Sequence, residues 1–386
     1  MQDLSSVPAR ALRIGVSRAA DPAVALAEIG QQLRDASPSF ILLLAPGAMD
    51  PDALAAALPG ALPDVAIFGS TTAGQITQQG YETDALMALA FSSDHFRVAS
   101  KCFPLLAPVS MADIVDATRR LSAQFQTAPG HNRLALIFTD GLSKQEDMLV
   151  AALETALGDV PVFGGSAGDG LRFRRTSVLH AGQFHRNAAL LLLIETDLDF
   201  CGLGFDHFQP TDKYAVVTHA IPEERLVLEL NGSPAAQEYA RLVGVPVNDL
   251  SPIIFAENPM LVRNQSNYHV RGIQQSQFGD GLTLLSAIDD GLVLRLGKGK
   301  EILRTLETGL SVADEQSGTP DFILGFDCYL RKLEIAHKGL ADAASDCLRR
   351  HRVVGFNTYG EQHLGVHVNQ TFVGIAFFRP TGKHSL

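Results

Sequence analysis

The phrase DVAIFGSTTAGQ, Asp64 to Gln75, recurs as DVPVFGGSAGDG, Asp159 to Gly170, and again as RVVGFNTYGE, Arg352 to Glu361. A chain that repeats itself is built from repeated units, so this self-similarity constrains the fold before any local reading does. Ile67 and Val162 are 95 positions apart, and Val162 and Val354 are 192 apart, twice 96. That spacing leaves room for a degenerate copy centred near Ile253 to Phe255.

The flanks of each copy predict the same order of elements. An apolar run comes first (Phe40 to Ala45, Leu134 to Thr139, Phe322 to Phe326), then a stretch with apolar residues at three- and four-residue steps (Asp52 to Leu62, Glu146 to Leu157, Lys338 to Arg350). The glycine phrase follows as a β-rich run ending in a turn, and a further strand closes the unit: Ala85 to Phe91, Ala188 to Ile194, Thr371 to Phe378. Ser143 and Glu146 have capping-box spacing. The expectation is an α/β fold with mixed sheets, made of strand-helix-strand-turn-strand units of about 96 residues forming two domains, the first two strands of each unit being parallel neighbours. Between the second and third copies, the sequence predicts a strand over Tyr214 to His219 and a long helix over Glu223 to Leu242, interrupted at Asn231 to Pro234 with Ser233 as cap. A hairpin over Val270 to Gln274 and Leu282 to Ala287 would turn at Phe278 to Gly281.

Hydrophobic residues make up 46% of the 386, enough for substantial cores, and the net charge of -11 argues against a nucleic-acid backbone as partner. Met1 to Arg13 has no apolar leader and no apolar run approaches the roughly 20 residues of a bilayer span, so the expected setting is the cytoplasm, with no membrane. Cys102, Cys201, Cys328 and Cys347 form no Cys-x-x-Cys pair, which fits reduced, buried thiols.

Several residue sets invite chemistry. Gly164 to Gly168 matches the nucleophile-elbow pattern with Ser166 as nucleophile, but no helix pattern follows it, and the other copies carry Ser70, Thr71, Thr72 or Asn357, Thr358 instead. Turns rich in glycine and hydroxyl residues, here Ser70, Thr71, Thr72, Gly165, Ser166 and Asp169, can converge backbone N–H groups on an anion; equally, the glycines can serve only to allow a tight backbone. Arg331, Glu361 and Asp140 fall near strand ends, where ligands bind in α/β sheets; helix capping or rim salt bridges account for them as well. His180 and His185 bracket AGQF, and His363 and His367 bracket LGV with spacing that puts them on one face of a helix or strand. No third ligand stands close enough in sequence for a zinc site, whereas one axial histidine to haem iron requires no motif.

GSTTAG at Gly69, FGGSAGDG at Phe163, CYLR at Cys328, YGE at Tyr359 and HVNQT at His367 together resemble the FIST family, over nearly the whole chain. The resemblance implies a FIST N-terminal domain over residues 35–220 and a FIST C-terminal domain over 221–365, with a lead-in over 1–34 and a final strand and tail over 366–386. It implies a sensor that binds small ligands, with amino acids proposed for the family, and no enzyme. VLHAGQFH at Val178, EYARLVG at Glu238 and the stretch from Tyr359 to Thr371 resemble more narrowly the bacterial nitric-oxide-sensing branch, which binds haem and regulates a histidine kinase or a cyclic-di-GMP enzyme. On that resemblance haem b would sit by His180 and His185, either one ligating the iron, with Phe173 and Phe184 lining the pocket. The chain carries no kinase or cyclase pattern before Leu386, so output is expected in trans. The alternatives are a haem-free module holding an amino acid through Arg331 and the glycine phrases, and a hydrolase using Ser166.

Overall fold

The computed structural model describes residues 11–105, 109–264, 267–277, 280–313, 318–363 and 365–379. The fold is α/β with mixed sheets, and its repeated unit is larger than the sequence implied. Each unit opens with an extra strand and helix, so that Leu12–Ser17 and Pro22–Gln32 are the counterparts of Phe96–Pro104 and Met111–Gln124 in the second unit. Three parallel pairs form as expected: Pro38–Pro46 with Ala66–Thr72, Asn132–Thr139 with Val162–Ser166, and Phe322–Cys328 with Val353–Thr358. The closing strands Leu86–Ser92, Ala188–Thr196 and Phe372–Phe378 pair antiparallel to the first strand of each pair.

No copy of the unit occupies the gap before the third phrase. The third unit begins at Asp199–Phe205, which pairs with Phe372–Phe378, and resumes at the helix Ile302–Leu310. The chain between is an inserted antiparallel sheet running from Phe208–Ile221 to Val293–Gly299, which accounts for the doubled spacing. Ile253 to Phe255 lie in its short helix Pro252–Glu257. The helix expected over Glu223 to Leu242 is a strand, Leu226–Leu230, followed by the helix Ala235–Val243. Hydrogen bonds to Phe208–Ile221 override the local helical pattern, and Pro234 rather than Ser233 is the N-cap. Phe278 and Gly279, in the expected hairpin turn, lie outside the described residues.

After its glycine phrase each unit sends a short hairpin into the next unit's sheet. Gln75–Thr77 pairs with Val353–Thr358, Val178–His180 with Ala66–Thr72, and Glu361–His363 with Val162–Ser166. The exchange is cyclic, so the units close into a ring and none completes its sheet alone. The inner faces bring Phe40, Phe91, Phe138, Phe322, Phe326, Phe356 and Phe377 into one core, with Phe138 stacked on Phe356 at 5.9 Å and Phe91 against Phe322 at 6.2 Å across units. Helices cover the outer faces through three separate apolar clusters. No helix among the described residues is long and apolar enough to cross a membrane.

Candidate functional site

The repeated phrase stays in strand as far as Thr72, Ser166 and Thr358, further than the sequence reading carried it before its turn, and Gly69, Gly164 and Gly355 within it answer a backbone demand. Gly69, Gly164 and Gly355 stand opposite Leu43, Ile137 and Gly325 in the parallel pairs, where a Cβ would lie 1.9, 1.9 and 1.8 Å from the partner's carbonyl oxygen. Beyond them the three phrases join at the carboxyl ends of the strands. Gly168 N donates to Thr71 O (3.2 Å), Tyr359 N to Ser166 O (3.1 Å), Ser166 N to Gly360 O (2.8 Å) and Asn357 N to Gly74 O (2.7 Å). Ser70, Thr71, Thr72, Gly165, Ser166 and Asp169 are all buried in this joint. Thr71 Oγ1 accepts from Ser177 N, Thr72 Oγ1 donates to Ala45 O, and the Asp169 carboxylate accepts from the backbone N–H groups of Phe173, Arg174 and Arg175. Most of the N–H groups that an anion would use are thus bonded to other parts of the chain. Ser166 is fully buried, no helix follows its strand, and its hydroxyl accepts from Gln362 Nε2 at 3.1 Å, so the strained, exposed elbow is not formed.

Arg331 follows the third unit's first parallel strand, on the helix Tyr329–His337, and is fully buried. Its Nε donates to Asp327 Oδ1 at 2.8 Å, its Nη1 lies 3.1 Å from His207 Nδ1, and its guanidinium sits 5.8 Å over the Phe205 ring. Tyr81, from the exchanged hairpin of the first unit, donates to the other Asp327 oxygen. His207 Nε2 meets Glu334 Oε2 at 2.9 Å. Burial pushes the neighbouring Lys332 ammonium down to about 8 despite Asp327, Asp84 and Glu82 around it. Arg331 Nη2, Asn357 Oδ1 and Gln75 Oε1 are buried with no hydrogen-bond partner among the described residues. Such atoms carry a cost that a polar ligand or water would relieve. Asp327 lies in the strand Phe322–Cys328 and Arg331 in the helix that follows, so the junction of strand and helix brings the pair together. Tyr81 carries no sequence signal because it arrives from the first unit, and His207 carries none because it lies 124 residues from Arg331, on the far side of the inserted sheet.

Glu361 does not join Arg331. It is fully buried, accepts from Thr371 N at 3.1 Å and bonds Thr358. Burial holds its carboxyl well above the usual range, with Asp327 adding to the shift. A raised folded value means that the folded state keeps a proton the unfolded chain releases, so stability falls as pH rises above about 4.5 toward the folded value. Glu361→Gln is therefore expected to gain stability relative to the parent as pH rises from 5 to 8, measured by urea unfolding; a constant difference would show that Glu361 is ionised in the fold. Asp140 instead fixes a turn, accepting from Asn187 N (2.6 Å) and Leu142 N (3.1 Å).

His180 and His185 stand on the two arms of one hairpin, their rings 6.5 Å apart, with His185 Nε2 on the His180 carbonyl. His180 stacks on Phe68 at 6.0 Å, lies 3.2 Å from Ser100 Oγ, and lines a groove of about 580 Å³ with Leu58, Pro59, Leu62, Val65 and Phe68. Burial, then His185 and Lys101, pushes the His180 imidazole below its ordinary value. Phe184 packs on the adjacent apolar cluster. Phe173 does not line this groove: it packs against Tyr359 at 4.8 Å and the cluster of Ala256, Leu285, Cys328 and Leu330. The aromatic beside His180 is Phe68, supplied by the first unit through hairpin exchange. His363 and His367 sit on opposite arms of a hairpin rather than on one face, because the turn between them reverses the chain.

The inserted sheet docks on the second unit through Arg225. The residue adopts φ 51° at a strand corner and directs its guanidinium to Glu146 Oε2 (2.7 Å), Asp147 Oδ2 (3.0 Å) and Leu285 O (2.6 Å). Glu146 is thus an ion-pair partner and not half of a capping box, and no side chain caps its helix. Asp147, despite burial, is held below the usual carboxylate range by His367, Arg225 and Arg271.

Comparison with known proteins agrees with this architecture. The FIST N domain model matches residues 39–233 and the FIST C domain model residues 235–363. The boundary falls inside the inserted sheet, so the second match contains most of that sheet and the rest of the third unit. An uncharacterized protein of Methanocaldococcus jannaschii, MJ1623, is 24% identical over 225 residues, covering 56% of this chain and 43% of that protein. The chain therefore spans less than half the length of that relative. Matched by both models over most of its length, the chain belongs to the FIST family, whose domains are signal-transduction sensor modules for small ligands.

Proposed function

We propose that this protein is a cytoplasmic haem-based nitric oxide sensor, with His180 as the protein ligand to the iron, acting in trans on a histidine kinase or a cyclic-di-GMP enzyme. The observation that carries the reading is the groove beside His180: it is walled by Leu58, Leu62, Val65 and Phe68, and presents one imidazole. Haem b is a flat, mostly apolar group held by a single axial histidine in many proteins, so this donor set fits it. Phe68 would pack against the macrocycle, and Ser100 would orient the imidazole. Bound there, the iron would supply the open position at which nitric oxide is taken up. A ligand shifts a signalling equilibrium only by its differential affinity for two states, and the exchanged hairpin that carries His180 links two units whose arrangement it could bias.

The test is the absorption spectrum of the purified chain after haem is supplied. A Soret band that moves on adding nitric oxide is expected, with His180→Ala lowering haem affinity at least about tenfold and His185→Ala lowering it less. A protein that stays colourless overturns the reading. Colourless protein stabilised by a member of an amino-acid panel would favour the second reading, a haem-free module. That reading is supported by the unpartnered Arg331 Nη2 and Asn357 Oδ1.

A further inference from the structure

On two helices of the third unit, outside the groove beside His180, three unlike donors meet. The helix Ile302–Leu310 supplies Glu307, the helix Ala341–Arg350 supplies Cys347, and His351 caps the end of that second helix. Cys347 and His351 are four residues apart, so the helix stacks them on one face. One ligand atom from each of the three side chains lies within 4.8 Å of the others. His351 Nε2 is 3.0 Å from Glu307 Oε1, while Arg350 Nη2 holds the second oxygen, Oε2, at 2.5 Å. Cys347 is buried in the apolar cluster under the two helices; Glu307 and His351 are partly exposed and His351 also lines a cavity of about 440 Å³.

We propose that Glu307, Cys347 and His351 form a binding site for a zinc-class divalent cation. The donor set is the borderline mixture that zinc prefers, one thiolate, one imidazole and one carboxylate. Bonds of about 2.0–2.3 Å in tetrahedral geometry separate neighbouring ligand atoms by roughly 3.3–3.8 Å. The Nε2 to Oε1 separation of 3.0 Å is close to such an edge, so small side-chain rotations admit an ion. Arg350, already on Oε2, would orient the carboxylate so that Oε1 faces the ion. On binding, the Cys347 S–H loses its proton to solvent as the metal–sulfur bond forms, and the fourth position would be left to water. Because Ile302–Leu310 directly follows the inserted sheet, the ion would pin the point where that sheet rejoins the third unit.

The test is titration of the full chain, thiols reduced and prior metal removed, with cobalt(II) as a spectroscopic probe and then zinc(II). One cobalt per chain is expected, giving a sulfur-to-cobalt charge-transfer band and tetrahedral d–d absorption, both lost on adding zinc. Cys347→Ala should abolish the charge-transfer band, and His351→Gln should weaken binding by about tenfold or more. Absence of the band, its persistence in Cys347→Ala, or unchanged affinity in His351→Gln overturns the site. Should Cys347→Ala fail to fold by circular dichroism, His351→Gln decides, since that side chain is partly exposed.

Discussion

Gly355→Ala is expected to cost at least about 3 kcal/mol of stability and to leave little folded protein at 37 °C. Gly355 adopts φ 157° and its missing Cβ would sit 1.8 Å from Gly325 O, a backbone atom fixed by the parallel ladder. The neighbouring strand cannot retreat. Phe322–Cys328 is held on its other side by Phe372–Phe378 and its Phe326 is locked between Phe138 and Phe356. Gly69→Ala should behave alike, with φ 151° and a Cβ 1.9 Å from Leu43 O. Gly60→Ala, at a helical position with open space around it, serves as the control and should be neutral or slightly stabilising. Urea unfolding of the three variants measures the contrast. A Gly355→Ala protein within about 1 kcal/mol of the parent would show that the close approach of the two strands is not essential.

Arg225→Met is expected to cost about 3–5 kcal/mol, because removing one partner leaves the buried Glu146 carboxylate uncompensated. Glu146 keeps only 2% of its side chain exposed, so water cannot replace the guanidinium there. The loss should fall first on the docking of the inserted sheet, since Arg225 also holds Leu285 O and His367 Nε2 meets the same carbonyl at 3.2 Å. Adding Glu146→Gln to Arg225→Met should recover part of the loss, a coupling that a double-mutant cycle reads directly. Additive losses would mean that Arg225 acts by packing alone. Hydrogen exchange should show the strands Leu226–Leu230 and Leu282–Leu284 losing protection before the central core.

The repeat, the α/β class, the parallel pairing and the position of each closing strand were legible in the sequence. These depend on local apolar period and on a glycine phrase that three units need for the same steric reason. The 192-residue spacing was legible too, but not its meaning, since a further copy and an insertion lengthen a chain equally. The helix read over Glu223 to Leu242 was half strand because ladder hydrogen bonds outweighed local propensity.

Sequence by itself placed Asp140, Arg331 and Glu361 near the ends of the parallel strands, because strand order and apolar period set those ends without knowledge of partners. Only the tertiary structure decided what those ends do. Cyclic exchange of hairpins brings Tyr81 to Asp327, Phe68 to His180 and Gln362 to Ser166, contacts spanning up to 246 residues. No local pattern encodes such pairs. They exist because each sheet lacks an edge strand that only the next unit can supply, and closing that edge satisfies backbone groups that would otherwise be left unpaired.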